Sequence, residues 1–228
     1  SFLVARARVH PDRLGRHRFP VSLNNVTRSF LEIQANTAEP AVAAALKSVL
    51  EAPEGPARDA AGTALARLAP EFGAMLRDTV TPTMLKAGYK SNVIPADATA
   101  TFNARLLPGR RAADMIAEIT KLVGDPKIEL AFEPPPRAPV GPMPIDTPLF
   151  RAAVAAAPAG VRVLPYMAGW TTDSQDLRGR GVIMYGIDPP LTEEDTERIH
   201  GEDERAPLAA LDWYAVYLRD IVVKTAGK

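Results

Sequence analysis

The segments TVTPTMLKAGYKSNVIP (residues 79–95) and ATATFNARLLPG (residues 98–109) carry the clearest structural pattern in the chain. Each begins with an extended run, and a region containing Gly, Asn and Pro separates the two runs, which is typical of two strands joined by a turn. In the second run, apolar or small residues alternate with polar ones, so one face is apolar and the other is polar. The sequence therefore predicts antiparallel strands over Thr79–Ala87 and Ala98–Leu106, with Arg105 on the polar face.

The segments around this hairpin extend the prediction to a two-layer α+β sandwich. An amphipathic helix over Ala112–Val123 and a strand over Lys127–Phe132 follow it, and strand-strand-helix-strand is the running order of helices packed on one face of an antiparallel sheet. Before the hairpin, the apolar periodicity predicts three helices, over Pro40–Glu51, Ala57–Leu68 and Pro70–Arg77. Residues 20–33 are rich in β-formers and predict a strand followed by irregular structure. Residues 1–20 are ambiguous, with Phe2, Leu3, Val4 and Leu14 able to line one side of a short helix.

The amino-acid composition changes at the proline-rich residues 133–144, which predict a linker and a domain boundary. We therefore expect one domain over residues 1–138 and another over residues 139–228. The second part has the pattern of an α/β domain. A helix is predicted at each end, and two short strands and a charged loop over residues 187–205 lie between the two helices. The helices are predicted over Leu149–Ala157 and Pro207–Val223, and the strands over Val161–Met167 and Gly181–Gly186. The buried side of the last helix is predicted to hold Leu208, Leu211, Val216, Leu218, Ile221 and Val222.

Composition excludes several functional classes. The chain has 228 residues, with 27 Lys and Arg against 27 Asp and Glu, so its formal net charge is zero and offers no general attraction for nucleic acid or an anionic membrane. No apolar run is long enough to span a bilayer. Since there are no Cys residues, disulfides, thiolate metal sites and Cys nucleophiles are excluded. No secretory signal is visible, so we expect a cytoplasmic protein, with export depending on the N-terminus of a full-length protein.

Three polar segments are candidates for chemistry, and each has an ordinary structural alternative. In residues 192–204, His200 lies among carboxylates. It is either a metal ligand or a general base. The structural alternative is a solvated acidic loop whose charges favour the N-terminus of the next helix. Residues 169–174, GWTTDS, either line a ligand site or form a turn in which Asp173 or Ser174 caps a helix. Asn92 and Arg105 either grip a carboxylate or make ordinary hairpin contacts. Of the other two His residues, His10 and His17, we expect both at the surface.

Together these segments resemble the zinc-dependent aminoacylase and carboxypeptidase family, the di-metal amidohydrolases that include carboxypeptidase S and its secreted relatives. Residues 79–95 and 98–109 are similar to the core of the family's inserted lid or dimerisation domain. Residues 169–174 and 199–204 are similar to its C-terminal catalytic-domain motifs. The resemblance covers nearly the whole chain from about Pro20. It implies a two-layer lid domain followed by the C-terminal part of an α/β zinc-peptidase catalytic domain.

The resemblance also implies roles for individual residues. His200 matches the last zinc ligand of the family, and Asn92 and Arg105 match lid residues that bind substrate, usually across a dimer interface. Gly169, Thr172 and Asp173 match a loop that lines the catalytic cleft. The implied reaction is cleavage of an amide next to a free carboxylate, in an N-acyl amino acid or short peptide. In the family a water bridging two metal ions attacks the amide, and a Glu is the general base. A homodimer formed through the lid is implied as well.

The sequence departs from the family in two small ways and one large one. Asn103 stands where the family has Asp two residues before the Arg, and Gln175 stands where an Arg often follows Thr-Asp-Ser. The large departure concerns the other metal ligands. In the family these are a His-x-Asp motif, a further Asp and a Glu-Glu pair in an N-terminal half, and the lid also has a His-containing strand. Residues 1–20 supply none of these. We therefore expect the C-terminal half of a hydrolase, inactive alone and unable to hold zinc stably. The alternative is a non-catalytic module for dimerisation or carboxylate binding.

Overall fold

The computed structural model describes residues 2–6, 14, 17–170 and 172–227. The strands are β1 (Phe2–Arg6), β2 (Thr79–Ala87), β3 (Ala98–Arg105) and β4 (Glu129–Glu133). The helices are α1 (Asn25–Gln34), α2 (Pro40–Glu51), α3 (Pro56–Leu68), α4 (Gly73–Leu76), α5 (Ala112–Val123), α6 (Pro148–Ala156), α7 (Ser174–Arg178), α8 (Glu193–Glu197) and α9 (Leu208–Ala226), with a 3-10 turn at Pro70–Phe72 before α4. The chain divides into two units, residues 1–142 with 166–182 and residues 143–165 with 183–228. The functional boundary predicted between residues 138 and 139 stays a prediction.

The four strands form one antiparallel sheet in the order β2-β3-β1-β4. The pairing of β2 with β3 runs from Thr79 opposite Arg105 to Ala87 opposite Ala98, which confirms the predicted hairpin. Successive side chains of a strand point to opposite faces. In β3 this places Phe102 in the core, while Arg105 is exposed at the end of the strand.

The edge strand β2 has an irregularity near its middle. Its register against β3 shifts between Pro82 and Met84, and the Thr83 hydroxyl donates to the Thr101 carbonyl at 3.1 Å. Pro82 has no N–H to offer another strand. Beyond this point Met84 and Leu85 are exposed. The outer edge of the sheet is therefore interrupted.

The N-terminal strand β1 lies inside the sheet, between β3 and β4. We expected residues 2–4 to line one side of a short helix, and the structure differs, because they lie in a strand. A short segment with partners on both edges satisfies its backbone groups through the ladder, which the local sequence does not reveal. His10 lies outside the described residues.

Helix α5 packs on the apolar face of the sheet, and it has the bounds that the sequence predicts. Its Met115 and Ile119 lie in one cluster with Phe102 of β3 and Phe132 of β4. Burial of each such side chain contributes about 1.5–3 kcal/mol relative to leaving it exposed. This cluster fixes the hairpin that carries Arg105.

The strand predicted over residues 20–33 is wrong, because most of that segment forms helix α1. The Asn24 side chain accepts the Thr27 N–H at 2.8 Å and so caps the helix. Val26 and Phe30 then meet the core at helical spacing, and tertiary packing outweighs their strand preference.

The other helices of the first unit follow the sequence pattern closely. Helices α2 and α3 begin at Pro40 and Pro56, where a proline fits the first turn, and they confirm the two predicted helices. The helix predicted over residues 70–77 divides into the 3-10 turn and α4.

The second unit is built on α6 and α9. Ala152, Ala153, Tyr217 and Ile221 form its buried cluster, and the Tyr217 hydroxyl donates to the Ala153 carbonyl at 2.9 Å. The buried side predicted for the last helix is largely wrong, because the Trp213 and Tyr217 rings meet α6. Of the residues predicted to be buried, Leu208, Leu211, Val216 and Val222 are exposed.

The two short strands predicted over residues 161–167 and 181–186 do not form. Val161, Val182 and Ile183 are all exposed. A short apolar segment is not stable as a buried strand unless a neighbouring strand pairs with its backbone. Among the described helices, none combines the length and apolarity that crossing a bilayer requires.

Candidate functional site

Arg105 and Gly169 are brought together in the first unit. Arg105 is exposed at the end of β3, and its Nη1 donates a hydrogen bond to the Gly169 carbonyl. A Cβ on Gly169 would lie 3.3 Å from the Ala74 Cβ, so the loop passes close to α4. Two of the predicted substrate-binding residues are therefore in contact, although they are far apart in the sequence.

Thr172 and Asp173 continue the same loop and are exposed. The Thr172 and Ser174 hydroxyls lie 2.6 Å apart. Asp173 occupies the N-cap position of α7, but its side chain makes no capping hydrogen bond. The alternative in which Asp173 caps a helix is therefore wrong, and its carboxylate is not used in that role. Thr171 lies outside the described residues.

Asn92 lies at the other end of the hairpin from Arg105. It is exposed in the turn between β2 and β3, whereas Arg105 pairs with Thr79 at the far end of the two strands. A strand rises about 3.3 Å per residue, so the length of β3 separates the two ends by roughly 23 Å. The hypothesis that both residues grip one carboxylate within a single chain is therefore not supported by the geometry.

The acidic segment before α9 is organised around Arg198. Thr192 and Asp195 form a capping box at the start of α8, and these hydrogen bonds lower the pKa of the Asp195 carboxyl, with the Thr192 side chain as the main cause. Arg198 forms ion pairs with Glu194 and Asp203. The acidic residues Glu202, Asp203 and Glu204 lie in the loop before α9, whose first turn contains no acidic residue.

His200 does not meet a set of metal ligands. It is exposed, with a φ of 64° in the left-handed region, in a turn of the second unit. Within residues 2–6, 14, 17–170 and 172–227, no three His, Asp or Glu side chains are placed to hold a metal ion. The nearby Glu194 and Asp203 pair with Arg198 instead. The residues present therefore do not fit a zinc site by themselves.

Asp78 is a buried residue that the sequence analysis missed. Its carboxylate accepts the Leu107 N–H at 2.7 Å and the Arg110 Nε–H at 2.9 Å, and Arg110 also donates to Glu118 at 2.6 Å. Burial raises the pKa of Asp78, and the hydrogen bonds from Leu107 and Arg110 only partly offset this. The sequence signal was a charged Arg77-Asp78 pair directly before a predicted strand. Asp78 holds the chain immediately after Arg105 in place.

Comparison with known proteins finds one family over the centre of the chain. Residues 31–130 match the M20_dimer model, which is described as a peptidase dimerisation domain. A metallo-carboxypeptidase of the M20 family from Sulfolobus solfataricus is a structural neighbour, with a TM-score of 0.30, 13% identity, and coverage of 68% of this chain and 47% of that one.

Three sequence relatives match a similar part of the chain. The N-fatty-acyl-amino acid synthase/hydrolase PM20D1 of Xenopus tropicalis is 33% identical over 150 residues, 64% of this chain and 29% of that protein. The human PM20D1 protein is 28% identical over 159 residues, 67% of this chain and 32% of that protein. The probable carboxypeptidase S-like 2 of Dictyostelium discoideum is 28% identical over 142 residues, 60% of this chain and 27% of that protein.

The matches span less than a third of the length of each relative. The family model covers the hairpin and α5, which carry two of the four segments on which the resemblance in the sequence rested; residues 169–174 and 199–204 lie outside its range. The resemblance is confirmed over this part of the chain: residues 31–130 match the peptidase dimerisation domain of the M20 family.

Proposed function

We propose that the chain supplies the lid and the C-terminal part of a hydrolase that cleaves an amide next to a free carboxylate. The observation that carries this proposal is the contact of Arg105 with the Gly169 carbonyl, which joins the end of the lid sheet to the loop with the catalytic-domain motif. The names of the relatives, an N-fatty-acyl-amino acid synthase/hydrolase and a carboxypeptidase, support it. An N-acyl amino acid and a peptide C-terminus share this arrangement of amide and carboxylate.

In this proposal Arg105 binds the substrate carboxylate. A guanidinium has five N–H donors in a planar fork, so it can give one to Gly169 and still pair with a carboxylate. The bond to Gly169 restricts the side chain, which lowers the entropy lost on binding. The exposed polar groups of Thr172 and Asp173 then lie in the same loop and orient the neighbouring amide.

We also propose that Asn92 acts on the site of a second protomer. The hairpin holds Asn92 about 23 Å from the Arg105 end, so it reaches a site of this kind from another copy of the chain. This supports the homodimer and the two-layer lid that the resemblance implied. A two-fold dimer presents the same pair of residues twice, once at each site.

The crossing of Asn92 between protomers has a direct test in the enzyme completed with the segment encoded upstream. Asn92→Ala and Arg105→Ala should each abolish most N-acyl amino acid hydrolysis. When the two variants are mixed one to one, about half of the dimers are mixed, and each of these has one unaltered site, so activity should return to about a quarter of the wild-type value. No recovery in verified mixed dimers would show that both residues act within one protomer.

The remaining metal ligands are proposed to come from residues outside these 228, with His200 as the one ligand from this chain. The match of His200 to the last zinc ligand of the family, which the resemblance implies, supports this division. The test measures zinc content and N-acyl amino acid hydrolysis of the chain alone and after joining it to the upstream segment. Activity only in the joined protein is expected. Stoichiometric zinc with turnover by the chain alone would contradict the proposal. A cytoplasmic location stays a prediction.

The exposed Arg105 side chain at the Gly169 carbonyl also favours one alternative function, a non-catalytic module that dimerises or binds carboxylates. In that case the upstream segment would give neither zinc binding nor hydrolysis. The chain alone would still bind N-acetylglycine, and Arg105→Ala would remove this binding. The two proposals therefore differ in turnover after joining.

A further inference from the structure

Four aromatic rings run from the interior of the first unit to its surface beside Arg105. The Phe72 and Phe30 rings are buried, with centroids 6.2 Å apart. The Tyr166 ring lies 5.8 Å from Phe30, and the Trp170 ring lies 6.0 Å from Tyr166. Tyr166 is 41% exposed and Trp170 is 55% exposed. We refer to Tyr166 and Trp170 as the aromatic platform.

The aromatic platform is held in place by the residues beneath it. The Tyr166 ring contacts the buried Phe30, and the loop at Gly169 passes within van der Waals distance of Ala74 on α4. Aromatic pairs at these distances are mutually stabilising, and rings have few rotatable bonds to immobilise. A ligand therefore meets an apolar surface that is already ordered, which lowers the entropic cost of binding.

The platform lies directly beside a cation. Trp170 follows Gly169, whose carbonyl accepts the hydrogen bond from Arg105. Among the residues that the structure describes, the Arg105 guanidinium contacts the Gly169 carbonyl and not a carboxylate. An exposed guanidinium next to two exposed rings is complementary to an anion with a bulky apolar part. A small polar carboxylate would use the cation and leave the rings in water.

We propose that the aromatic platform binds the apolar acyl group of an N-acyl amino acid whose carboxylate pairs with Arg105. The platform thereby selects substrates with an acyl chain of several carbons over acetylated ones. This inference rests on the carboxylate-binding role given to Arg105 in the proposed function. It adds the two residues that decide preference for the acyl group, and it does not depend on whether the chain hydrolyses the amide.

The test is calorimetric titration of the full chain with N-octanoylglycine and N-acetylglycine, both below the concentration at which the former forms micelles. Wild-type chain should bind N-octanoylglycine at least about tenfold more tightly, because each buried methylene adds favourable transfer free energy. Trp170→Ala should remove most of this difference by weakening N-octanoylglycine binding far more than N-acetylglycine binding, whereas Trp170→Phe should keep most of it. Trp213→Phe, in the second unit, is the matched control and should bind both probes as the wild type does.

Two results would overturn the inference. One is equal affinity of the wild-type chain for the two probes, and the other is an unchanged preference in Trp170→Ala. Arg105→Gln should weaken the binding of both probes by a similar factor. A loss of binding in that variant alone therefore reports on the carboxylate contact and not on the acyl group. These titrations measure no turnover, so a result that contradicts the role of the aromatic platform does not contradict hydrolysis by the joined enzyme. A failure of hydrolysis likewise leaves the acyl preference measurable.

Discussion

The Asp78 carboxylate accepts the Leu107 N–H at 2.7 Å and so ties the start of β2 to the segment that follows Arg105. The same carboxylate holds the Arg110 side chain at 2.9 Å. Asp78 is buried, so these donors replace the water that its carboxylate loses on folding. The position of Arg105 at the candidate site therefore depends on a residue that never touches a substrate.

Replacing Asp78 by Ala should lower the free energy of unfolding by about 1–3 kcal/mol, because it leaves the Leu107 N–H without its acceptor and removes one of the two carboxylates that pair with Arg110. Urea denaturation followed by circular dichroism measures the change. Asp114→Ala is the control, since Asp114 pairs with Arg111 on the exposed side of α5. The control should unfold close to the wild-type midpoint. Equal midpoints for the two variants would contradict the role given to Asp78.

Stability should also depend on pH through Asp78. Burial raises the pKa of Asp78 in the folded chain, so the unfolded chain loses this proton first as the pH rises. The contribution of Asp78 to stability is therefore full at pH values below the ordinary Asp pKa and falls as the pH rises towards the folded-state pKa. The Asn side chain in Asp78→Asn does not titrate, so the stability difference should move in favour of the variant as the pH rises above the ordinary Asp pKa. Urea midpoints at several pH values check this, and parallel pH profiles for variant and wild type would contradict it.

Two leucines of α3 give a matched test of the helical layer. Leu65 is fully buried, whereas Leu68 on the same helix is 56% exposed. Leu65→Ala should cost about 2–5 kcal/mol through lost burial and a residual cavity. Leu68→Ala should change the free energy of unfolding by less than about 0.5 kcal/mol. Thermal or urea unfolding measures both, and similar losses in the two variants would show that the packing of α3 differs from the structure.

In the enzyme joined to its upstream segment, Arg105→Ala should raise KM for an N-acyl amino acid about tenfold or more. The reason is that the variant loses a charge-assisted hydrogen bond to the carboxylate, which acts in binding. Steady-state kinetics separates this effect from a change in kcat. Arg111→Ala, also exposed, is the control and should keep the wild-type KM. An unchanged KM in Arg105→Ala would remove the carboxylate-binding role.

The elements that the sequence predicts well are those with a complete local signal. The β2–β3 hairpin has alternating faces and a turn, and α5 has an apolar stripe and ends before Gly124, which has a φ of 67°. Helix α1 was missed because its residues prefer strands, and only the Asn24 cap and the packing of Phe30 reveal a helix. Strand β1 was missed because both of its neighbours come from distant parts of the chain.

The roles of the candidate site residues stay predictions, and the structure adds how these residues are arranged. The contact between Arg105 and Gly169 could not be derived from spacing, because it joins the end of a strand to a distant loop. The separation of Asn92 from Arg105 did follow from the hairpin register, once the strand bounds were known. Tyr166 was predicted in a strand and Trp170 in the candidate segment over residues 169–174. Only the ring contacts of Tyr166 with Phe30 and with Trp170 place them in one row.

The break in β2 at Pro82 and Thr83 has a consequence for the behaviour of the protein at high concentration. A long, regular edge strand recruits strands from other molecules and allows growth into open-ended ribbons. In β2 the ladder is shifted at Thr83, and Pro82 contributes no donor, so an added strand finds only a short regular stretch. The edge therefore tolerates brief, closed pairing between molecules and resists polymerisation into fibres.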